Sequence, residues 1–344
     1  MLRYLLIFMS ITFISWQPAP GANPELTIYA NDSFLSEWGP GPTLQSKFEV
    51  RCKCKIKWVA AADGAALLAR LKIEGTRTKA DIVIGIDDAL TASAQDLGFF
   101  MDIDLVAPKT KPLDARAKSA TSKKFIAYDY GYYAFMFDTK AKQKNGQPFP
   151  RPKNLGELLS AKEFKRSLLI QDPRTSATGL GLLLWLHAVN PKDTKKSLEL
   201  LREQTLKVSK GWSESYSLFT KGEAPIVLSY TTSEAYHLEI EKQDRYQALV
   251  FPEGHYIAYE NAAIIKTTNN GLLAKSFLEF LLTEDSQQII AAKNWMYPVV
   301  DLDIALPKAF RTIKKPNKIL HIPANVIAAN RQAWVEQWTK AFLK

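Results

Sequence analysis

Apolar residues along this chain recur with two different spacings, and segments of the two kinds alternate. Short continuous apolar runs such as DIVIGID, residues 81–87, are typical of strands buried on both faces, as in parallel sheets. Apolar residues three or four positions apart, such as Leu67, Leu68 and Leu71, predict one buried helical face, and Gly75 ends that helix. The alternation of strands and helices predicts an α/β protein.

The predicted elements fall into two α/β sets. The first set has strands at residues 26–29, 55–59 and 81–87, and helices that begin near Pro42 and Asp63. The second set has strands at residues 167–172 and 225–230, and helices at residues 179–189, 194–203 and 213–221. Further helices are predicted towards the end of the chain, at residues 271–282, 284–292 and 324–343.

Two extended stretches rich in aromatic residues, 128–138 and 248–256, separate the two sets. We therefore predict two lobes joined by two crossover segments, with a ligand cleft between the lobes. Lobe 1 is expected to be discontinuous, with residues 23–130 and 253–344, and lobe 2 to comprise residues 131–252. The sequence shows no internal repeat and no low-complexity tract.

The N-terminus has the features of a secretory signal peptide. The apolar run LLIFMSITFIS follows a single arginine, and small residues suit cleavage near Ala22. The run is short for a membrane span, although an uncleaved anchor is the alternative. Cleavage leaves no N-terminal cysteine for a lipid anchor, because the first cysteine is Cys52. We expect residues 1–22 to be removed and the mature protein to be soluble in the periplasm.

The composition is that of a globular protein, since 47% of the 344 residues are hydrophobic and 23% are charged. The formal net charge is +10, and a basic protein can bind nucleic acid. Here the basic residues are scattered along the sequence, and no basic motif is interleaved with aromatic residues. A solvated basic surface explains them better, so we expect no nucleic-acid partner.

Cys52 and Cys54 are the only cysteines in the sequence. No histidine lies near them, so they make a poor zinc site, and we predict no metal site. In an oxidising compartment the two can pair, although a disulfide between residues i and i+2 closes a very tight loop. A strained local disulfide and two free thiols are both compatible with the sequence.

Motifs of common enzyme classes are absent, because the sequence has no G-x-S-x-G, no P-loop and no H-E-x-x-H. The histidines are dispersed: His187, His237, His255 and His321. Polar turns instead follow four predicted strands, at residues 31–33, 63–64, 174–179 and 230–236. Ligands bind at the carboxyl ends of strands in open α/β sheets, so we expect these turns to meet at one site.

One of these turns begins a helix. Thr175, Ser176 and Gly179 lie at the start of the apolar run GLGLLLWLHAV, where free N–H groups and the helix dipole favour an anion. A phosphate group would fit there. Ser and Thr also cap helices without any ligand, and that alternative explains the same residues.

Isolated aromatic residues accompany the turns: Trp38, Trp212, Tyr236 and Trp295. Each is flanked by polar or turn residues, unlike a tryptophan of a hydrophobic core. Aromatic faces attract cations and stack on planar rings. Trp334 and Trp338 are one helical turn apart in the last helix, where we expect them to be core or docking residues.

Through nearly the whole mature chain, the sequence resembles the periplasmic thiamine-binding proteins of bacterial ABC transporters. The resemblance rests on many segments in the same order, including YANDSFLSEWGPGP, QDPRTSATGLGLLLW, KGWSESYSLFTKGE, VLSYTTSEAYH and RQAWVEQW. It implies a two-lobed binding protein of the Venus-flytrap kind, similar to type II, with no catalytic residues and no cofactor. The ligand would be thiamine, thiamine monophosphate or thiamine diphosphate. The partner would be a membrane permease, and the binding protein itself a monomer.

The resemblance also implies which residues contact the ligand. They are the pair Asp63 and Gly64, the pair Ser176 and Ala177, Trp212, and the turn Tyr230, Thr231, Thr232 and Ser233, with Tyr236 and Trp295 lining the ring site. In chemical terms, Asp32, Asp63 and the hydroxyl turn could satisfy the donors and acceptors of the aminopyrimidine ring. Two positions depart from the family pattern, because Ala177 replaces a threonine and Asn31 replaces a stacking aromatic residue.

Two other functions are alternatives to thiamine transport. A thiaminase-like enzyme is similar in architecture and attacks thiamine with a cysteine thiolate, yet Cys52 and Cys54 lie away from the four turns in sequence. A ferric-iron carrier of the same class uses paired tyrosines, which Tyr132 and Tyr133 superficially match. Adjacent residues of an extended chain point in opposite directions, which disfavours that alternative.

Overall fold

The structure, a computed structural model, describes residues 23–104, 121–303 and 305–342. The predicted signal peptide lies outside these residues. The strands are β1 (Glu25–Asn31), β2 (Lys55–Ala61), β3 (Ile82–Asp87), β4 (Ile126–Asp138), β5 (Leu168–Gln171), β6 (Thr205–Ser209), β7 (Ile226–Tyr230), β8 (Tyr246–Leu249), β9 (His255–Ile264), β10 (Tyr297–Pro298) and β11 (Ile319–Leu320).

The helices are α1 (Asp32–Leu35), α2 (Gly41–Cys52), α3 (Gly64–Glu74), α4 (Asp88–Gln95), α5 (Leu155–Ser160), α6 (Ala177–Val189), α7 (Thr194–Gln204), α8 (Trp212–Thr220), α9 (Ser233–Glu239), α10 (Gly271–Leu281), α11 (Glu284–Lys293), α12 (Ala309–Thr312) and α13 (Ala324–Phe342). Two short 3₁₀ turns, Gly75–Arg77 and Lys162–Phe164, complete the regular structure of the described residues. None of these helices is long and apolar enough to cross a membrane.

The strands follow the order β2-β1-β3-β9-β4-β7-β5-β6. β1 runs parallel to β2 and β3, and β5 runs parallel to β6 and β7. β9 is antiparallel to both β3 and β4, and β4 is antiparallel to β7 and β8. The prediction for DIVIGID is therefore correct in burial but only half correct in pairing, because a strand from the return crossover flanks β3 on one side.

The long strand β4 connects two separate sets of strands. Its first part, Ile126 to Tyr132, pairs with β9, and its second part, Tyr133 to Asp138, pairs with β7 and β8. The chain returns to the first set through β8 and β9. The predicted two-lobed α/β architecture with two extended crossovers is confirmed by this exchange of partners.

The second crossover is not one continuous strand, as the stretch 248–256 suggested. β8 ends at Leu249 and β9 begins at His255. A turn between them closes with a bond from the N–H of Gly254 to the carbonyl of Phe251. Gly254 has φ of +104°, which favours glycine, so Pro252 and Gly254 break the strand as turn residues do.

Helix α13 packs against α4 on one side and α7 on the other. Trp338 is buried and stacks on Phe342, and the ring of Trp334 stacks on His187 with centroids 4.2 Å apart. The predicted packing role of both tryptophans is confirmed. Because α4 follows β3 and α7 precedes β6, the last helix contacts elements that flank both sets of strands.

Candidate functional site

A cavity of about 490 Å³ lies where the two lobes face each other, within the size range of small-molecule sites. Its walls come from the carboxyl ends of β1, β2, β3 and β7 and from the starts of α6, α8 and α9. All predicted site residues except Ser176 and Thr231 line this cavity: Asp32, Asp63, Gly64, Ala177, Trp212, Tyr230, Thr232, Ser233, Tyr236 and Trp295. The polar turns do meet at one place, as the topology rule predicts.

Ser176 and Thr231 are fully buried and lie outside the lining. The Oγ of Ser176 accepts a hydrogen bond from the N–H of Gly179 at 3.4 Å, so Ser176 is the N-cap of α6. The main-chain N–H of Thr231 donates to the carbonyl of Tyr132 at 2.9 Å. Both residues therefore lie behind the wall, where Ser176 caps α6 through its side chain and Thr231 bonds β4 through its main chain.

Asp63 holds the two lobes together. It is the N-cap of α3, where its Oδ1 accepts the N–H of Ala65, and the same oxygen accepts the N–H of Ala177 at 2.7 Å. Its Oδ2 accepts the hydroxyl of Ser176 at 2.9 Å. Burial raises the pKa of Asp63 to about 6, and the bonds from Ala177 and Ser176 oppose that rise.

The start of α6 is therefore occupied by a protein carboxylate. The sequence predicted either a phosphate site or ordinary capping there, and the structure has the Ser176 cap together with the carboxylate of Asp63. A second bond between the lobes runs from the Oγ of Ser213 to the Oδ1 of Asp32 at 3.0 Å. The two lobes thus meet in a closed arrangement.

The aromatic wall is held in place by hydroxyl groups. Trp212 stacks on Tyr216 with centroids 4.8 Å apart, and its Nε1 donates to the Oγ of Ser229 at 2.8 Å. Ser229 is bonded in turn to Ser233 at 2.8 Å between their Oγ atoms. These two serines orient the indole of Trp212. Tyr216, one helical turn after Trp212, supports its ring and was not among the predicted site residues.

Trp295 has a backbone conformation that L-residues rarely adopt, with φ of +54°. Its ring stacks on Phe310 at 5.9 Å, and Tyr236 meets it edge-on at 5.8 Å. The strained backbone brings the indole and its neighbours Asn294 and Met296 into the cavity wall. Such strain is concentrated at functional sites.

The hydroxyl-rich turn after β7 has divided roles. Tyr230 stacks on Tyr133 with centroids 5.1 Å apart. Thr232 occupies the N-cap position of α9, but its side chain makes no capping bond. The Oγ1 of Thr232 is buried at the cavity wall and has no hydrogen-bond partner among the described residues. Its hydroxyl is free to bond a molecule in the cavity.

Acidic side chains dominate the charge of the cavity although the whole chain carries +10. None of the lining residues, all of which belong to the described segments, is Lys or Arg. The lining carboxyl groups are Asp32, Asp63, Asp87, Glu241 and Glu260. Sequence reasoning missed Asp87, Glu241 and Glu260, because only the tertiary fold brings them to the cleft.

Other lining residues also escaped prediction. His237 bonds the hydroxyl of Tyr216 at 2.7 Å through Nε2 and Glu241 at 2.8 Å through Nδ1. Burial lowers the pKa of His237, and Glu241 opposes that shift. Asn31, expected to be a departure from an aromatic position, lines the cavity and accepts the N–H of Phe34 at 3.3 Å as the N-cap of α1.

Comparison with known proteins places the chain among relatives that span its whole length. The sequence model of bacterial extracellular solute-binding proteins matches residues 43–314. The thiamine-binding periplasmic protein of Brucella abortus biovar 1 (strain 9-941) is 44% identical, over 98% of this chain and 98% of that protein. The thiamine-binding periplasmic protein of Escherichia coli (strain K12) is 42% identical, over 93% of this chain and 94% of that protein.

A solved structure of a periplasmic thiamin binding protein gives the same picture in three dimensions. It superposes with a TM-score of 0.84 at 42% sequence identity and covers 93% of this chain and 96% of that chain. The fold, the sequence and the full-length coverage agree. The chain therefore belongs to the bacterial extracellular solute-binding proteins, in the group of the thiamine-binding periplasmic proteins.

Proposed function

We propose that this protein captures thiamine in the cleft between its lobes and delivers it to the membrane permease of an ABC transporter. The observation that carries the proposal is the cavity itself, which combines aromatic side chains with carboxyl groups and has no Lys or Arg among the described residues that line it. Thiamine is an organic cation with two planar rings, and such a cavity complements it in shape and charge. The naming of relatives that are 42% and 44% identical supports the same ligand.

In the proposed complex, Trp212, Tyr236 and Trp295 contact the rings, and cation–π attraction contributes about 0.5–2 kcal/mol for each favourable contact. Asp32, Asp63 and the hydroxyl of Thr232 bond the polar edge of the aminopyrimidine. Because the ligand contacts both lobes, it shifts the population towards the closed form, which then docks on the permease.

Thiamine monophosphate and thiamine diphosphate are proposed as further ligands. The dipole of α6 favours an anion at its first turn. Asp63 already uses the N–H of Ala177. A phosphate must therefore share this helix start with Asp63 or displace it. If the phosphate bonds the main-chain N–H of Ala177, the absence of a threonine hydroxyl at this position does not weaken phosphate binding.

We also propose the cellular setting of the protein. The mature protein resides in the periplasm as a monomer after cleavage of residues 1–22, and it carries out no chemistry on its ligand. The division into lobe 1 (residues 23–130 and 253–344) and lobe 2 (residues 131–252) stays a proposal, with α13 as an element that contacts both sides. Relatives described as periplasmic support the location.

An enzyme of the thiaminase kind has less support. Cys52 and Cys54 are joined in a disulfide, and neither lines the cavity. A thiolate nucleophile is therefore not at hand where the substrate would lie. The sequence left the disulfide and the free thiols open, and the structure has the disulfide.

An iron carrier has less support as well. Tyr132 packs with Tyr130 and Tyr297, whereas the hydroxyl of Tyr133 bonds Asp87 at 2.7 Å. The two tyrosines belong to different hydrophobic clusters on opposite faces of β4, so they do not converge on one point. In the described part of the chain, no group of three or more His, Cys, Asp or Glu residues is arranged to hold a metal ion.

The proposal is tested by identifying what the native protein carries. Protein purified without unfolding is denatured, and the released small molecules are identified by mass spectrometry. We expect intact thiamine or one of its phosphates in a molar amount close to that of the protein. Recovery of iron in their place, or release of free pyrimidine when purified protein is incubated with thiamine, would overturn the proposal.

A further inference from the structure

Three acidic residues stand side by side across three neighbouring strands at the back of the cavity. Glu260 in β9 is in register with Asp87 in β3 on one side and with Asp129 in β4 on the other. Asp87 and Glu260 line the cavity, and Asp129 is fully buried next to them. We call Asp87, Glu260 and Asp129 the acidic row.

The amide, phenol and main-chain groups of the described residues that donate hydrogen bonds to the acidic row carry no positive charge. The Nδ2 of Asn294 donates to Asp129 Oδ2 at 2.7 Å and contacts Glu260 Oε2 at 3.1 Å. The hydroxyl of Tyr128 donates to Glu260 Oε2 at 2.8 Å. Asp87 accepts the hydroxyl of Tyr133 at 2.7 Å and the N–H of Ala89 at 2.8 Å.

No Lys, Arg or His forms an ion pair with the acidic row within residues 23–104, 121–303 and 305–342. The titratable groups that surround Glu260 from the neighbouring elements are carboxyl or phenol groups. Asp88, the residue after Asp87, is bonded to His321 at 3.1 Å. The surrounding titratable groups are Asp63, Asp87, Asp88, Tyr128, Asp129 and Tyr230.

Buried carboxyl groups without a counter-ion retain protons. Burial raises the pKa of Glu260, and burial together with the charge of Glu260 raises the pKa of Asp129. The Nδ2 of Asn294 bridges Asp129 Oδ2 and Glu260 Oε2, so the two carboxyl groups are neighbours and titrate as a pair in which one retains a proton. Asp129 Oδ1 is buried and has no hydrogen-bond partner among the described residues, which further disfavours the ionised form of Asp129.

We propose that the acidic row is the counter-charge of the thiamine cation, and that thiamine enters the cleft in exchange for a proton of the Asp129–Glu260 pair. This inference rests on the proposed function. The proton passes to solvent as the cation arrives, so the net charge of the closed cleft stays the same. The exchange avoids both an uncompensated buried carboxylate in the empty protein and an uncompensated buried cation in the complex.

The exchange has a defined pH dependence. A cation beside the row lowers the pKa of its carboxyl groups, so the complex holds fewer protons than the free protein. Binding therefore releases protons at every pH between the lower pKa of the complex and the higher pKa of the free protein. Affinity for thiamine falls as the pH falls through this window and is constant above it.

The test is calorimetry at about pH 6.5 in two buffers with different ionisation enthalpies, with wild-type protein, Glu260→Gln and Asp285→Asn. The ligands are thiamine and its uncharged analogue, in which carbon replaces the thiazolium nitrogen. For wild type we expect release of up to one proton with thiamine and none with the analogue. Glu260→Gln should abolish most of the release and weaken thiamine about tenfold or more, a change of about 1.4 kcal/mol, while the analogue changes little.

The two controls separate charge from folding. Asp285 is exposed and paired with Lys47, so Asp285→Asn should leave the affinity for both ligands unchanged. If Glu260→Gln fails to fold, Asp129→Asn tests the same pair from its buried side. The inference alone would be overturned if Glu260→Gln weakened the binding of thiamine and of the analogue equally. It would also be overturned if wild type bound thiamine with a heat that did not depend on the buffer. Failure of wild type to bind either ligand would overturn the proposed function with it.

Discussion

The carboxylate of Asp63 accepts the N–H of Ala177 at 2.7 Å, and this bond joins the first turn of α3 in one lobe to the first turn of α6 in the other. One side chain therefore serves two helix N-termini, since Asp63 also caps α3 through the N–H of Ala65. Both helix dipoles favour its negative charge, whereas its burial disfavours the charge and raises its pKa to about 6. Closing the cleft is thus coupled to the environment of one carboxyl group.

Replacing Asp63 should open the cleft. Asp63→Ala removes the bond between the lobes and the cap of α3, each worth about 1 kcal/mol. We expect thiamine to bind about tenfold or more weakly, and small-angle X-ray scattering to show a larger fraction of open molecules. Asp63→Asn keeps an oxygen that accepts the Ala177 N–H and should lose less. An Asp63→Ala protein that closes and binds as the wild type does would contradict the role of this contact.

Trp212 should carry a large share of ligand affinity. Trp212→Ala removes an aromatic surface that is held by Tyr216 and Ser229, so both contact area and cation–π attraction disappear. We predict about tenfold or greater weakening of thiamine binding by calorimetry. Trp212→Phe keeps an aromatic face, so its thiamine affinity should lie between those of wild type and Trp212→Ala. Trp334→Phe is the matched control, because Trp334 does not line the cavity. Unchanged affinity in Trp212→Ala would remove this residue from the binding site.

Acid should destabilise the fold through His255. Its Nε2 accepts the N–H of Phe251 at 2.7 Å and its Nδ1 bonds the carbonyl of Tyr133 at 2.7 Å, so the buried ring is held neutral. Burial lowers the pKa of His255 to about 4, below its unfolded value of about 6.5. The unfolded chain then binds more protons, and stability present above about pH 6.5 is lost as the pH falls towards about 4, by about 3 kcal/mol.

Urea unfolding at several pH values measures this effect. His255→Gln should be less stable than wild type near neutral pH but lose less stability on acidification, because its side chain does not titrate. His187, whose pKa burial also lowers to about 4, should contribute a second slope that His187→Gln removes. Identical acid slopes in wild type and His255→Gln would show that His255 is not the group responsible.

Much of the fold could be read from local patterns. The strand and helix assignments around Leu67, Leu68 and Leu71 and in DIVIGID depended on periodicity, which the structure confirms. Helix α4 was missed because it is short and Leu90 is its one large apolar residue. Strand β6 was missed because TLKVS has few apolar residues and lies at the edge of its sheet.

The site was predictable where it consisted of turns after strands. Asp63, Trp212 and Tyr236 came together because the carboxyl ends of the strands in both lobes face one cleft. Glu260 could not be found this way, since a polar residue in a strand usually points to solvent and only tertiary strand pairing places it between Asp87 and Asp129. Residues that act through tertiary neighbours leave no local signal.

The most direct test of the central claim is calorimetric titration of thiamine into protein that has been unfolded, freed of bound ligand and refolded. We predict saturable binding of one thiamine per chain, with a dissociation constant of about 1 μM or lower, because residues of both lobes line the cavity. The absence of binding heat at thiamine concentrations of about 1 mM, from protein whose refolding is verified by circular dichroism, would contradict it.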